Sequence, residues 1–355
     1  MNKLKKFIVK GCSALLPKSE WRKSFRKHFL VGNPDIHKFY GRIYPPLYNM
    51  RYRIRSETPR IFNRNGERMD VFFIRDHHLA HDPYCIGSGM PPTHFLWDRY
   101  NIALDTHFYS HGAMLETMGS PSHRYGMLIE SAAIVPDDYD IFRKNPGLAG
   151  EFDAIFTYSD RILDEVPNAK FMPFCAAAWY GTEFGGGVVD EKAFMRKKRD
   201  ISIVSSSKCL CEYHKFRIEL ARQCRKEGLA DAFGTFDGGD AIKIEESLTD
   251  YRYSIVIEND RTSYFFTERL TNCFLAMTVP IYFGATRIGE FFNEDGIIFI
   301  RPDDDLRKVL SQCNKRDYEA RLPAILDNFT RAKKYMNIWD MMYEKYFAKG
   351  KACNA

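Results

Sequence analysis

Short apolar runs recur along the chain between residues 68 and 300, each closed by a polar or glycine-bearing stretch. This alternation constrains the fold more than any other feature. "RMDVFFIRD" (68–76), "YNIALDTHFY" (100–109), "RYGMLIES" (124–131), "FDAIFTYSD" (152–160) and "AKFMPFCAAAW" (169–179) form a first series. Runs this short, bounded by turn residues, match strands buried on both faces of a sheet. A second series begins at "RDISIVSSS" (199–207). A helix-length segment follows, "EYHKFRIELARQCRKEG" (212–228), with Phe216, Leu220 and Cys224 at four-residue spacing and Gly228 as its stop. Then come "LADAFG", the glycine-rich "GTFDGG" (234–239), the strand "DYRYSIVIEN" (250–259), the helix "FTERLTNCFLAM" (266–277), and strands "TVPIYFG" (278–284) and "GIIFI" (296–300). Alternation of this kind builds a parallel sheet covered by helices. "LRKVLSQC" (306–313) and "DYEARLPAILDNFTRAKKYMNIWDMMYEKYF" (317–347) read as closing helices.

The 355 residues exceed what one hydrophobic core usually serves. "FGGGVVDEKAFMRKKRD" (184–200) interrupts the pattern with three glycines and a charge run, and reads as a linker. The expected division is a basic amphipathic segment over 1–60, a Rossmann-like domain over 61–183, the linker over 184–199, a second Rossmann-like domain over 200–325 and a helical segment over 326–355. The expected fold is α/β, with two Rossmann-like domains facing a cleft. Ligands of such folds sit at the carboxyl ends of strands.

Charge is unevenly spread. Residues 1–30 hold nine Lys/Arg and one acid, Glu20, while the whole chain is only +6. The remaining chain is therefore slightly acidic, which argues against a nucleic-acid partner. Phe7, Ile8, Leu15, Leu16, Trp21, Phe25 and Phe29 interleave with those cations. Two readings stay open: a helix resting on an anionic membrane surface, or a solvated helix packed on the body. No run is long and apolar enough to span a bilayer, and no cleavage site marks a signal peptide. The nine scattered cysteines, with only Cys209 and Cys211 close together, read as reduced thiols of a cytoplasmic protein.

The stretch "IENDRTSYFFTER" (257–269) concentrates chemistry. Glu258 and Asn259 fall at the carboxyl end of an expected strand. Thr267, Glu268 and Arg269 fall in the first turn of the next helix, where unpaired N–H groups favour an anion. Arg269 adds a fork of donors for phosphate, and Glu268 can accept from ribose hydroxyls. The alternative is that Thr267 caps the helix and Glu268 complements its dipole. The residues alone do not separate the two.

With the downstream "LTNCFLAMTVPIYFG", this stretch resembles the signature of glycosyltransferase family 10, the α1,3/α1,4-fucosyltransferases. Glu258, Asn259, Thr267, Glu268, Ala276, Val279, Pro280 and Gly284 match that pattern with its common spacing. The pattern's lysine after Thr-Glu is Arg269 here, and its tyrosine is Phe265. "MLIESAAIVPDDYDIF" (127–142) is similar to the family's acceptor-side segment and puts Glu130 at the position of the proposed general base. A strand-end glutamate bonded to a neighbouring loop is the plainer alternative.

The resemblance implies a GT-B arrangement and an inverting transfer of fucose from GDP-fucose to a glycan hydroxyl, with no cofactor or metal required. Glu130 would take the acceptor proton. Lys208, Arg217 and Arg269 would hold the diphosphate, and Asn259, Thr267 and Glu268 the rest of the donor. Its partners would be the nucleotide sugar and a glycan or glycolipid acceptor, in the setting of bacterial surface polysaccharide or lipopolysaccharide synthesis at the inner membrane face. A transferase of the same fold using another nucleotide sugar, and a non-catalytic glycan- or membrane-associated module, are the rivals. His77, His78, His81 and Asp82, the pair His107 and His111, and the aspartates of "DDYD" (137–140) and "DDD" (303–305) suit acceptor contacts or helix caps better than a metal.

Overall fold

The computed structural model describes residues 8, 11, 12, 14, 15, 17, 69–76, 90–99 and 101–348. The basic segment over 1–30 lies almost wholly outside the described residues, as do His77, His78, His81 and Asp82. The chain divides into two compact units. The first comprises Met1–His78, Phe95–Met127 and Ile141–Ala154, and the second Leu79–His94, Leu128–Asp140 and Ile155–Ala355.

In the first unit, strands β1 (Asp70–Arg75), β2 (Phe95–Asp98), β3 (Thr106–Ser110) and β4 (His123–Met127) lie side by side in the order β2-β1-β3-β4. Each pairing is parallel. Aromatic side chains fill the space over this sheet. Phe72 meets Phe95 at 4.9 Å between ring centroids, and Trp97 stands edge-on to Phe95 at 4.7 Å. Arg75 is buried there with Glu116 as its ion-pair partner. Sequence patterning did not mark β2, whose four residues "FLWD" are too few to show a period. β4 stops at Met127, so Glu130 stands three residues beyond the strand rather than at its end.

The second unit holds β5 (Ala154–Thr157) from Ile155 onward and β6 (Ala169–Phe171), which pair in parallel. Helix α1 (Asp160–Glu165) joins them, capped by Ser159. A five-stranded parallel sheet follows, built from β7 (Arg199–Val204), β8 (Asp231–Phe233), β9 (Tyr251–Ile257), β10 (Val279–Phe283) and β11 (Ile298–Phe299). Its order is β8-β7-β9-β10-β11. The helices between strands are α2 (Glu212–Glu227), α3 (Ile244–Leu248) and α4 (Glu268–Leu275). Ile203, Leu220, Cys224, Tyr253, Ile255 and Ile281 belong to its core.

This is a Rossmann-like, doubly wound α/β fold. The chain leaves β7 toward β8 on one side and later returns to β9 on the other. The crevice outside the carboxyl ends of β7 and β9 is therefore the topological switch point, the usual ligand position in open parallel sheets.

The glycine run read as a linker is tightly hydrogen-bonded. Gly181 N–H donates to Gly186 O at 2.8 Å, and Gly187 N–H donates to Glu245 Oε2 on α3 at 2.6 Å. Gly186 adopts φ +69°, a left-handed backbone that favours glycine, and a Cβ there would displace the Glu245 carboxylate, 2.4 Å away.

The closing helical stretch is divided. After α5 (Leu306–Leu310) come α6 (Lys315–Ala320), α7 (Leu322–Ala332) and α8 (Ile338–Tyr346). Pro323 sits in the first turn of α7, and the Asn337 side chain accepts from Asp340 N–H at 3.1 Å to start α8. No helix among the described residues is long and apolar enough to cross a membrane.

Candidate active site

Glu258 follows β9 directly. Its backbone N–H still donates to Phe283 O on β10 at 2.9 Å, which draws the side chain into the interior. The carboxylate is fully buried and survives there on two bonds from one residue. Thr267 N–H donates to Oε1 at 2.9 Å and Thr267 Oγ1–H to Oε2 at 2.8 Å. Burial pushes the Glu258 pKa up to about 7, against the pull of Arg269. Gly284 makes room for it: a Cβ at that position would stand 2.5 Å from Glu258 Cγ.

Thr267 takes the capping role that the sequence offered as one alternative. Its hydroxyl donates to Glu258 and accepts from Arg269 N–H at 3.2 Å, and Arg269 Nη1 lies 3.4 Å away. The residue is buried and its polar capacity is used. Thr267 is the N-cap of α4. The cap leaves Glu268 and Arg269 at the helix start, where their side chains remain 15 % and 30 % exposed and stand 3.5 Å apart. Burial works against the Arg269 charge, but Glu268, Glu258 and Glu130 more than offset it, so its pKa is raised.

Asn259 and Arg217 meet at the switch point. Arg217, on α2, is buried and donates from Nη1 to Ile257 O at 2.8 Å and to Asn259 Oδ1 at 3.3 Å. Its Nε and Nη2 have no hydrogen-bond partner among the described residues. Burial and the like charge of Arg269 bring its pKa down to about 9. The two guanidinium groups are within electrostatic reach of each other, and Glu258 and Glu268 act on both. Lys208 is exposed and acts on His214, one turn before Arg217, by charge alone.

Glu130 belongs to the same unit. Its Oε1 accepts from Ser131 N–H at 2.8 Å, and its backbone carbonyl accepts from Tyr139 Oη–H at 2.7 Å. Tyr158 Oη accepts from Ala132 N–H at 2.9 Å, two residues on. The Cys175 thiol donates to Ile129 O at 2.7 Å. Two tyrosines and a thiol thus grip the backbone on both sides of Glu130. Burial, with Glu130, Glu268 and Glu258 around it, raises the Cys175 pKa far above its ordinary value. Phe265, where the family pattern has tyrosine, is buried with its ring 4.7 Å from Tyr158. It supports the Glu130 segment through that contact.

The structure therefore gathers Glu130, Arg217, Asn259, Glu268 and Arg269 in one unit, with Thr267 serving as their scaffold and Lys208 at the periphery. The sequence does not single out Cys175; it places Glu258 in the motif and offers His214 as an available cation, and assigns neither to the site. His214 had a signal, since it precedes Arg217 by three positions and so shares its helix face. Of the residues weighed for a metal, His107 lies on β3, Asp140 pairs with Arg161 at 3.1 Å, and Asp305 caps α5.

No family model and no curated protein matches the chain. Among solved structures, an α1,3-fucosyltransferase with GDP-fucose aligns at 12 % identity and a TM-score of 0.44, over 84 % of this chain and 95 % of that one. A mutant of T4 phage BGT in complex with UDP-glucose aligns at 9 % and 0.42, over 78 % and 99 %. The pneumococcal O-GlcNAc transferase GtfA in complex with UDP and GlcNAc aligns at 13 % and 0.37, over 67 % and 56 %. Scores below one half assign no residue of this chain a role.

Proposed function

We propose that this chain is an inverting glycosyltransferase that moves a sugar from a nucleoside diphosphate donor to an acceptor hydroxyl. The observation that carries this reading is Arg217, bonded to Asn259 Oδ1 at 3.3 Å just past β9, with Arg269 in electrostatic reach of both Arg217 and Glu130. Glu130 removes the acceptor proton. The freed oxygen forms the new bond to the anomeric carbon while the bond from that carbon to the diphosphate oxygen breaks. The departing electron pair stays on the diphosphate, where Arg269, Arg217 and Lys208 stabilise it. Cations in this role do the work a divalent metal performs in other transferases. Glu268 accepts from the ribose hydroxyls.

The family resemblance favours GDP-fucose as donor. Phe265 favours a second reading, a different nucleotide sugar, because a buried phenyl ring offers no hydroxyl to a donor. The acceptor is a glycan or glycolipid, and the basic residues of segment 1–30 suit a protein working against an anionic membrane face.

The test is Glu130→Gln, assayed for transfer and for nucleotide binding separately. Turnover is expected to fall by about a hundredfold or more, with nucleotide affinity retained. Transfer at the wild-type rate sinks the base assignment, whereas a wild type that binds nucleotide but transfers nothing favours the non-catalytic module.

A further inference from the structure

The Asn259 carboxamide is held by two donors at once. Arg217 Nη1 lies 3.3 Å from Oδ1, and a guanidinium can only donate, so the atom it meets is the oxygen. His214 fixes the same point independently. Its Nε2 lies 2.9 Å from Asn259 Oδ1. Its other nitrogen, Nδ1, is 3.1 Å from Leu210 N–H, which has a proton to give. Nδ1 is therefore the acceptor, and Nε2 carries the ring proton and donates. Backbone restraint adds to this, because Cys211 Sγ reaches Asn259 O at 3.4 Å. Burial, with Arg217 alongside, holds the His214 pKa down at about 4, so the ring is neutral at physiological pH and Nδ1 stays free to accept. His214, Arg217 and Asn259 retain only 3 %, 2 % and 9 % of their surface.

We infer that His214 is a positioning residue: as its Nε2–H tautomer, set by Leu210, it locks Asn259 with Oδ1 inward and both Nδ2 hydrogens presented to the bound donor. Asn259 Nδ2 has no partner among the described residues. Arg217 Nε and Nη2 are open in the same way. These open N–H groups, on a neutral amide and a cation, would suit an acceptor-rich group, the diphosphate of a nucleoside diphosphate. A flipped Asn259 would turn a carbonyl oxygen toward that anion and repel it. The inference rests on the donor-site reading above and adds a residue that the family resemblance does not carry.

Two measurements on the full chain test it. The first is nitrogen-resolved imidazole NMR of the wild type at pH 7. An unprotonated Nδ1 and a protonated Nε2 are expected for His214, while the Nδ1–H tautomer or an imidazolium overturns the lock. The second is GDP titration by calorimetry into the wild type, His214→Leu and His214→Gln, with Tm recorded for each. His214→Leu is expected to weaken GDP about tenfold, the effect of one misplaced hydrogen-bonding group. His214→Gln, whose amide can still donate to Oδ1, is expected to recover most of that loss. A wild type that binds GDP while both folded variants bind equally well overturns the positioning role alone. A wild type that binds neither GDP nor UDP overturns the donor-site reading as well. Should His214→Leu not fold, the tautomer measurement and the Gln variant decide the matter.

Discussion

A carboxylate sealed as completely as Glu258 is tolerated because Thr267 supplies both of its donors. Its protonation then governs stability with a definite sign. The folded state keeps the proton up to about 7, against 4.5 for an ordinary glutamate. The stabilisation from that retained proton is full below pH 4.5 and is lost as pH rises through 7. Urea unfolding of wild type and Glu258→Gln should show the wild type losing stability relative to the variant across that window; a constant difference contradicts the raised pKa. Thr267 serves the cap and the carboxylate together, so Thr267→Val should destabilise by roughly 2–4 kcal/mol, the sum of a lost N-cap and an unpaired buried acceptor. Thr267→Ser keeps the hydroxyl and should lose far less. Equal losses from the two substitutions, read by urea unfolding, would assign the effect to packing.

Between elements, the decisive features are the turn from β9 into α4 and the first turns of α2. The β9–α4 connection was legible in the sequence because its signals are local: an apolar run ending in Glu-Asn, then Thr-Glu-Arg opening a helix. What those residues do was not legible. Thr267 and Glu258 consume each other, whereas Asn259 is engaged by His214 and Arg217, 45 and 42 positions away in the chain. No periodicity reports a contact of that range. The long closing helix was overextended for the opposite reason, since propensity runs on through a break that Pro323 and Asn337 impose locally. Gly284 is where β10 passes over Glu258, and Gly284→Ala should cost about 1–3 kcal/mol through overpacking. A Tm unchanged by that substitution would mean that the loop after β10 yields freely.

At the scale of the whole molecule, the proposed machinery is concentrated in one compact unit. Glu130, Arg217, Asn259, Glu268 and Arg269 all fall within the second unit, although Glu130 precedes the rest by more than eighty positions. The basic segment at the start of the chain has a separable role in this view. Removing residues 1–30 should abolish sedimentation with phosphatidylglycerol vesicles while leaving GDP affinity unchanged; a deletion that loses both would tie the segment to the site. The donor site itself is tested most directly by calorimetric titration of GDP into the wild type, Arg217→Met and Arg269→Met. Expected is saturable binding to the wild type, weakened about tenfold or more by each substitution, as for loss of a charge-assisted bond to phosphate. No binding to the folded wild type, or binding that neither substitution alters, contradicts a nucleoside diphosphate site at the β7–β9 switch point.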